Sequence, residues 1–581
     1  MAEQLKRAAI TSLRRGESIS GKGITSSLFR NWLWVMNSSY RSSKQFEIGK
    51  EFKALLSGIA SGESIDSNQL LPYLCLESKP LRCHINALLA DAYYQNGILS
   101  HLNQAKIFMQ RAWLLSESPN HLLPLYLKIC TALRDTQSLR SAYKQLGIIA
   151  AAQGDVDKAI EHFNSWHFAY YTQENLDKYE FDFEILRSMQ ALAAPHRFQH
   201  GKATPGNSEK IRLAYLVKGL TELNSILVKI NLEFARFHHK DLFDVTFFVP
   251  ESEDLIGNSP QGKEHIAQFE SFGCKVITVP NLGTVGRVLL ELAQKIYDSK
   301  PHILVTSAAL ARFEHYFITA LRPAPLVIGL VQGPPPQFAP PDLDWSIAWS
   351  RHPLIDTPVN CSLVNLKLEW SELNSISPVG TRSLGVPDDA CLLLSAGRPT
   401  KFQDPEHWRA LASTLESHSN AYYVVAGAEA AEIPALASLP EAIRDRVCCL
   451  GWREDILNIV AAADIVIDTY PNGGGQVLVQ AMTLGLPVLA YRNDYMKLFD
   501  QTNWSPVEDF IEDPDIVLPR GDFKTFKQVL SRLINNPEYR AQVGERCRER
   551  VSGTSPELGV RECEAIYRKV IELHSASTIQ N

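Results

Sequence analysis

The stretch Asp464-Ile465-Val466-Ile467-Asp468-Thr469-Tyr470-Pro471-Asn472-Gly473-Gly474-Gly475-Gln476 decides the fold class. It reads as a short apolar strand ending at Asp468, a Gly-rich turn, and a helix over Val477 to Gly485. A near-continuous apolar strand feeding directly into a helix is the unit of a parallel sheet covered on both faces. Glycines at a helix start let backbone N–H groups approach a phosphate, and the helix dipole favours negative charge there. Three glycines in a row exceed what a turn alone requires, so Gly473, Gly474 and Gly475 are read as a phosphate cradle.

Working outward, the same unit recurs. Apolar strands are expected at Cys391 to Ser395, Tyr422 to Ala426, Val447 to Leu450, Ile465 to Asp468 and Pro487 to Ala490. An earlier set falls at Ile211 to Val217, Phe243 to Val249, Lys275 to Val279, His302 to Val305, Leu326 to Leu330 and Trp345 to Ala348. Segments of helical period lie between most of them. This predicts two Rossmann-like, doubly wound domains in tandem, over 210–375 and 376–581, the second including the C-terminal helices. Ligands of such sheets sit at the carboxyl ends of the strands, and two facing domains enclose a cleft.

The chain before this is different. Residues 1–190 are rich in Leu, Ala, Gln and Lys with few strand signals, and read as helical throughout. Gly147, Ala150, Gly154-Asp155, Ala159, Phe163 and Trp166 place small and aromatic residues at fixed steps around a turn. A weaker copy runs Tyr94, Gly97, Ala105, Met109, Ala112 and Pro119. The pattern resembles tetratricopeptide repeats, which implies stacked helix pairs; an irregular helical bundle is the alternative. Residues 191–209, with Pro195, Gly201, Pro205 and Gly206, read as a linker.

Composition narrows the function. The chain has 581 residues, 58 Lys plus Arg and 64 Asp plus Glu, for a net charge of −6. A bulk-charge nucleic-acid binder is excluded. No apolar run is long enough to span a membrane, so no stable membrane insertion is expected, and a secretory leader is not apparent behind Met1 to Arg15. Ten scattered cysteines without a C-x-x-C pair suggest free thiols in a reducing cytoplasm. There is no G-x-G-x-x-G after a first strand, no G-x-x-x-x-G-K-[ST] and no H-E-x-x-H, which disfavours dinucleotide, P-loop and zinc chemistry.

Ser395 to Lys401 follows the first strand of the second domain, so Arg398 and Lys401 lie near the Gly-rich turn. Two cations opposite a phosphate-binding helix suit a diphosphate leaving group, whose developing charge they stabilise without a metal. The bland reading is a pair of solvated cations. Arg446 to Arg453 ends a neighbouring strand; the backbone at Gly451 and Trp452 could read a nucleotide base, or Trp452 could be buried at the strand end. Val331 to Phe338, which contains Gln332, is a Gly/Pro-stiffened loop suited to a cleft wall or a structural corner.

In their order, these segments resemble the GT-B glycosyltransferases from Ile211 to about Lys569. The large retaining family 4 carries two glutamates with seven residues between them across this turn, and here Asn472 and Gln480 hold those places. Glycosyltransferase family 41, the protein O-GlcNAc transferases and bacterial cytoplasmic adhesin glucosyltransferases, also joins an N-terminal helical domain to a GT-B region. Gln332, Lys401 and the turn Gly473 to Gln476 match that family in place. Gln476 and Val477 replace its usual hydroxyls, Gln480 stands where an acid holds the ribose, and its histidine after the first strand is absent from Lys218 to Asn224. The resemblance implies transfer, with inversion, of a sugar from UDP-glucose or UDP-GlcNAc to a protein or peptide acceptor. The nucleotide sugar is a substrate, and no cofactor or metal is implied. Lys401 and the turn N–H groups would stabilise the departing UDP, with Arg398, Gln332, Gly451, Trp452, Asn472, Gln476 and Gln480 around the donor. Glu222, in the first loop of the first domain, is the candidate base or else a surface carboxylate. Transfer to a lipid-linked or polysaccharide acceptor, or a non-catalytic scaffold with a decayed site, remain alternatives.

Overall fold

A computed structural model of the chain describes residues 43–579 apart from 77, 117–121, 134, 172–181, 201–208, 223–224, 307–312, 332–341, 349–359, 365–375, 472, 493–512 and 553–554. It contains two compact units, Met1–Leu146 and Gly147–Asn581.

The first unit is helical. Helices Lys79–Asn96 and Leu99–Leu115 form a hairpin whose turn is set by Gly97, the left-handed cap of the first helix. Ala105, Met109 and Ala112 of the weaker repeat are fully buried, sharing a core with Phe52, Ile85 and Leu89. Each large apolar side chain buried this way contributes about 1.5–3 kcal/mol.

In the second unit, the stronger repeat follows the same logic. A side chain at Gly147 would put its Cβ 2.4 Å from the Phe163 ring, so only glycine allows this approach. Helix Val156–Tyr171 then docks on the first sheet domain. Its Asp157 carboxylate accepts from the Gly286 N–H at 2.9 Å, in the first turn of helix Val285–Asp298. Seven residues on, Asn164 accepts from the Phe313 N–H at 3.0 Å, the start of helix Phe313–Leu321. Phe163 and Trp166 pack on Phe313 with ring centroids 5.2 and 6.4 Å apart. Two helix starts of the sheet domain are therefore completed by side chains from one helix of the repeat.

The two sheets among the described residues are parallel throughout. The first has the order β3-β2-β1-β4-β5-β6-β7, built from β1 (Ile211–Leu216), β2 (Phe243–Ser252), β3 (Lys275–Val279), β4 (Ile303–Thr306), β5 (Leu326–Val331), β6 (Trp345–Ala348) and β7 (Cys361–Leu363). The second has the order β10-β9-β8-β11-β12-β13, from β8 (Cys391–Ala396), β9 (Ala421–Ala426), β10 (Val447–Cys449), β11 (Ile465–Ile467), β12 (Val488–Arg492) and β13 (Val517–Pro519). In both, chain direction across the sheet reverses beside the first strand, between β1 and β4 and between β8 and β11. This is the doubly wound arrangement expected from the apolar runs, formed twice in tandem after a helical region.

Helices Phe523–Asn535 and Pro537–Ser552 pack into the second core through Phe526, Leu530 and Val543. Helix Pro556–Ile579 leaves that core: Val560, Cys563, Tyr567 and Ile571 are buried against β1 and helix Ile226–Phe237 of the first sheet domain. A buried carboxylate holds it there. Glu564 Oε1 accepts from the His238 ring at 2.9 Å and the His239 N–H at 2.7 Å, and its Oε2 accepts from the His239 ring at 2.7 Å. Tyr215 links the other His238 ring nitrogen, at 2.8 Å, to the Tyr567 hydroxyl, at 2.9 Å. Burial keeps His238 below the usual imidazole range, so the neutral ring donates to Glu564 and accepts from Tyr215.

These hydrogen bonds, foremost that from His238, outweigh the desolvation of the Glu564 carboxyl and hold it down at about 2, against an ordinary value of 4.5. A carboxylate depressed on folding stabilises fully above its unfolded pKa and loses that contribution as pH falls through its folded value. Glu564→Gln is expected to cost about 2 kcal/mol at pH 7, read by chemical denaturation. The difference between variant and wild type should shrink as the pH drops from 4.5 toward 2.

Candidate functional site

The site is built where β8 and β11 diverge. The Ser395 hydroxyl donates to the Ile467 carbonyl at 2.6 Å, tying the two strand ends together. Beyond β11, Asp468 is buried at 1 % exposure, and its Oδ1 accepts from the N–H groups of Thr469 at 2.9 Å and Gly474 at 2.6 Å. One carboxylate oxygen thus folds the Gly-rich turn back on its own strand. Arg520, just after β13, donates to the Pro471 carbonyl at 2.6 Å and lies over the Tyr470 ring at 5.4 Å, holding the outer limb of the turn.

Beneath it, His407 stacks on Tyr470 with centroids 5.5 Å apart and meets the Tyr491 hydroxyl at 2.9 Å. Burial pushes the His407 ring down to about 3, so it is a neutral packing element. Helix Gln476–Thr483 starts at Gly475 with no side chain capping it, which leaves its first N–H groups for a ligand.

Lys401 sits on the short turn Pro399–Phe402 after β8 and donates to the Gly473 carbonyl at 2.6 Å. Desolvation lowers its pKa from the lysine value of 10.5; Asp468 opposes this and Arg398 adds to it. Lys401 is therefore not a solvated surface cation, whereas Arg398 is exposed.

A cavity of about 520 Å³ opens beside the turn. Arg398, Trp452, Gln476 and Gln480 line it, together with Gly397, Gly427 and the Arg453–Asn458 segment. Gly451 stands behind, its carbonyl accepting from the Gly427 N–H at 2.7 Å. Gly427 has a φ of +95° and a Cβ there would lie 2.5 Å from the Gly397 carbonyl oxygen, so the two strand ends meet only because it is glycine. Trp452 is 66 % exposed, which removes the reading of a buried strand-end residue. Among the described residues the Gln480 and Gln476 side-chain oxygens are buried without a hydrogen-bond partner, and Gln480 is 3 % exposed. Two acceptors held open in a cavity fit a ligand that brings hydroxyl or N–H donors.

Not every expected residue joins this cluster. Gln332 and Asn472 lie outside the described residues, as does most of the Val331–Phe338 loop. Glu222 is exposed in the loop after β1 and does not line the cavity. Next to it, Glu251 at the end of β2 accepts from the Gly219 N–H at 2.8 Å. Burial raises its pKa, with Glu222 and Glu314 adding to the rise. Glu251 carries no local motif, and its position is set by β1–β2 pairing across more than thirty residues of chain. Asp468 and Lys229 were also not singled out as site residues from the sequence. Asp468 could have been found, since it ends the strand before the glycines; Lys229 gives no local signal. No cluster of three or more His, Cys, Asp or Glu side chains among the described residues could hold a metal ion. Nor is any described helix long and apolar enough to cross a membrane.

The fold has counterparts in known proteins. Residues 406–536 match the family described as glycosyl transferases group 1. No curated protein matches the chain. Among solved structures, an O-GlcNAc transferase mutant from Thermobaculum terrenum superposes with a TM-score of 0.53 and 15% identity, covering 93% of this chain and 100% of its own. A glycosyltransferase from Rickettsia africae is similar with a TM-score of 0.46 and 14% identity, over 62% of this chain and 99% of its own. WaaG, a glycosyltransferase of lipopolysaccharide biosynthesis, gives 0.39 and 16% over 61% of this chain and 99% of its own. The chain has the GT-B fold of that O-GlcNAc transferase. The chain is a glycosyltransferase that resembles family 41 and has a group 1 glycosyltransferase domain across its Gly-rich turn.

Asp468→Ala frees two N–H groups that shape the turn. It is expected to weaken UDP binding about tenfold or more in titration calorimetry. An unchanged Kd would show that the turn does not bind the diphosphate.

Proposed function

We propose that this glycosyltransferase moves a sugar from UDP-glucose or UDP-GlcNAc onto a protein side chain, with inversion, without a metal ion, in the cytoplasm. One observation carries the reading. A desolvated lysine, Lys401, sits on the carbonyl of Gly473, the first glycine of a turn whose helix start is uncapped. A diphosphate placed at that helix start meets backbone N–H groups on one side and the Lys401 and Arg398 cations on the other. As the bond between the anomeric carbon and the β-phosphate oxygen breaks, the charge gathering on UDP is stabilised by groups already in position. The acceptor hydroxyl forms its bond from the opposite face and gives its proton to a carboxylate of the first domain, Glu222 in this reading.

Inversion is favoured by what stands at the turn. Gln480 is an amide, and Asn472 an amide in sequence, where family 4 carries its two acids. The Gln480 oxygen instead offers an acceptor to the donor's ribose hydroxyls. The likeness to an O-GlcNAc transferase supports testing UDP-GlcNAc beside UDP-glucose first. The helical repeats favour an extended peptide as acceptor, since helix-pair stacks present such surfaces.

The test is UDP release from a panel of nucleotide sugars with cell lysate as acceptor, and intact-mass detection of modified protein. Release should depend on a protein acceptor and be lost in Lys401→Met. Glu222→Gln should lose turnover yet keep UDP affinity; unchanged turnover removes it from the mechanism. Because Lys401 must be protonated and its pKa is lowered, turnover should fall with rising pH earlier than an ordinary lysine would dictate. Tight UDP binding with no modified protein would point to a lipid-linked or polysaccharide acceptor.

A further inference from the structure

The loop after β1 runs from Lys218 toward Glu222 and is anchored at successive residues. The Gly219 N–H donates to Glu251 of β2, and the His265 ring of helix Pro260–Ser271 donates to the Leu220 carbonyl at 2.7 Å. Both anchors belong to the sheet domain itself. The anchor at Lys218 reaches further. Its ammonium donates to Glu314 Oε1 at 2.7 Å, and Glu314 Oε2 accepts from the Asn164 amide at 3.2 Å. Asn164 lies on helix Val156–Tyr171 of the repeat, and its own oxygen accepts from the Phe313 N–H at 3.0 Å. One carboxylate thus holds the loop with one oxygen and the repeat helix with the other. The Lys218 and Glu314 side chains are only 20 % and 13 % exposed, so the pair is little screened. Desolvation would raise the Glu314 carboxyl, but Lys218 and Asn164 outweigh it and keep the group below its ordinary value.

We infer that Glu314 is a positioning residue for the transfer reaction: its carboxylate makes the loop that carries Glu222 depend on the seating of helix Val156–Tyr171. This rests on the reading of Glu222 as the proton acceptor. The helical repeat then does more than offer a surface to the acceptor, because its second helix sets the place of a reacting group. Phe163 and Trp166 pack on Phe313, the residue before Glu314, so a shift of the repeat helix is passed to the start of helix Phe313–Leu321. From His315 to Leu321 that helix is buried, so its core contacts keep Glu314 from following the loop instead. A buried ion pair tolerates little displacement before its attraction is lost, and a movement of Glu314 is therefore felt at Lys218. From there it is carried into the turn that the Glu222 N–H closes on the Gly219 carbonyl at 3.0 Å. Glu314 acts through Lys218 and the loop, and touches neither donor nor acceptor in this account.

The experiment is a double-mutant cycle on the full chain, with Asn164→Ala, Lys218→Met and the two combined. Turnover, UDP affinity and hydrogen exchange of the Gly219–Glu222 amides are measured for each. Each single change should lower kcat about tenfold and leave the UDP Kd unchanged. The combined variant should be no slower than the worse single one, because both act through Glu314. Lys218→Arg should recover most of the turnover. Asn164→Ala, distant from the loop in sequence, should speed exchange at Gly219–Glu222 and leave the Gly473–Gly475 turn as protected as in wild type. Unchanged kcat and unchanged loop exchange in Asn164→Ala overturn the inference. So do losses that simply multiply in the combined variant, or a UDP affinity that falls with kcat. Glu222→Gln, run in the same assay, tests the reading beneath it. Full turnover in Glu222→Gln with low turnover in Lys218→Met would remove Glu222 as the proton acceptor and leave the bracing of the loop standing. In a wild-type chain without turnover, the loop exchange in Asn164→Ala decides whether the brace exists.

Discussion

Everything at the candidate site depends on one buried carboxylate. Asp468 closes the end of β11 and, by accepting from Thr469 and Gly474, sets the path of the turn between strand and helix. An ionised group at 1 % exposure is costly unless its oxygens are bonded. The backbone N–H groups of the turn satisfy it, and in return the turn is held in one shape. Lys401 sits on the far side of the same loop, its charge supported by Asp468 while burial works against it. The site thus holds a buried cation beside a helix start with no side-chain cap, the arrangement on which the proposed stabilisation of a leaving group rests.

The second constraint is attachment. Elements distant in the chain hold the first sheet domain from two sides. Helix Val156–Tyr171 completes two of its helix starts through Asp157 and Asn164. Asn164 also donates to Glu314 at 3.2 Å, and Glu314 accepts from Lys218 at 2.7 Å in the loop after β1. On the other side, Glu564 fixes the last helix to His238 and His239. The loop after β1 is thereby braced by helix Val156–Tyr171, and the last helix ties back to the domain in which the sheets begin.

Much of this was legible in the residues. The eleven strands expected from apolar runs all form, with ends shifted by a few residues: β12 starts after Pro487, which cannot donate to a ladder. β7 and β13 escaped notice because neither is a run of apolar residues: Ser362 interrupts the first and Pro519 ends the second. The return of helix Pro556–Ile579 to the first sheet has no local signal either, since its apolar face would suit either core. At the candidate site, Arg398 and Lys401, Trp452 and the Gly-rich turn were visible because each follows the end of a readable strand, and Gln480 because it lies in the helix that the turn starts. Glu251 and Lys229 were not, because only the packing of one strand or domain on another gives them a place.

The most direct test is hydrogen exchange of the full chain with and without UDP. The account predicts slowed exchange at the Gly473–Gly475 turn and the start of helix Gln476–Thr483, with further protection after β8 near Lys401. Protection confined to other parts of the chain, or none at saturating UDP, would contradict it.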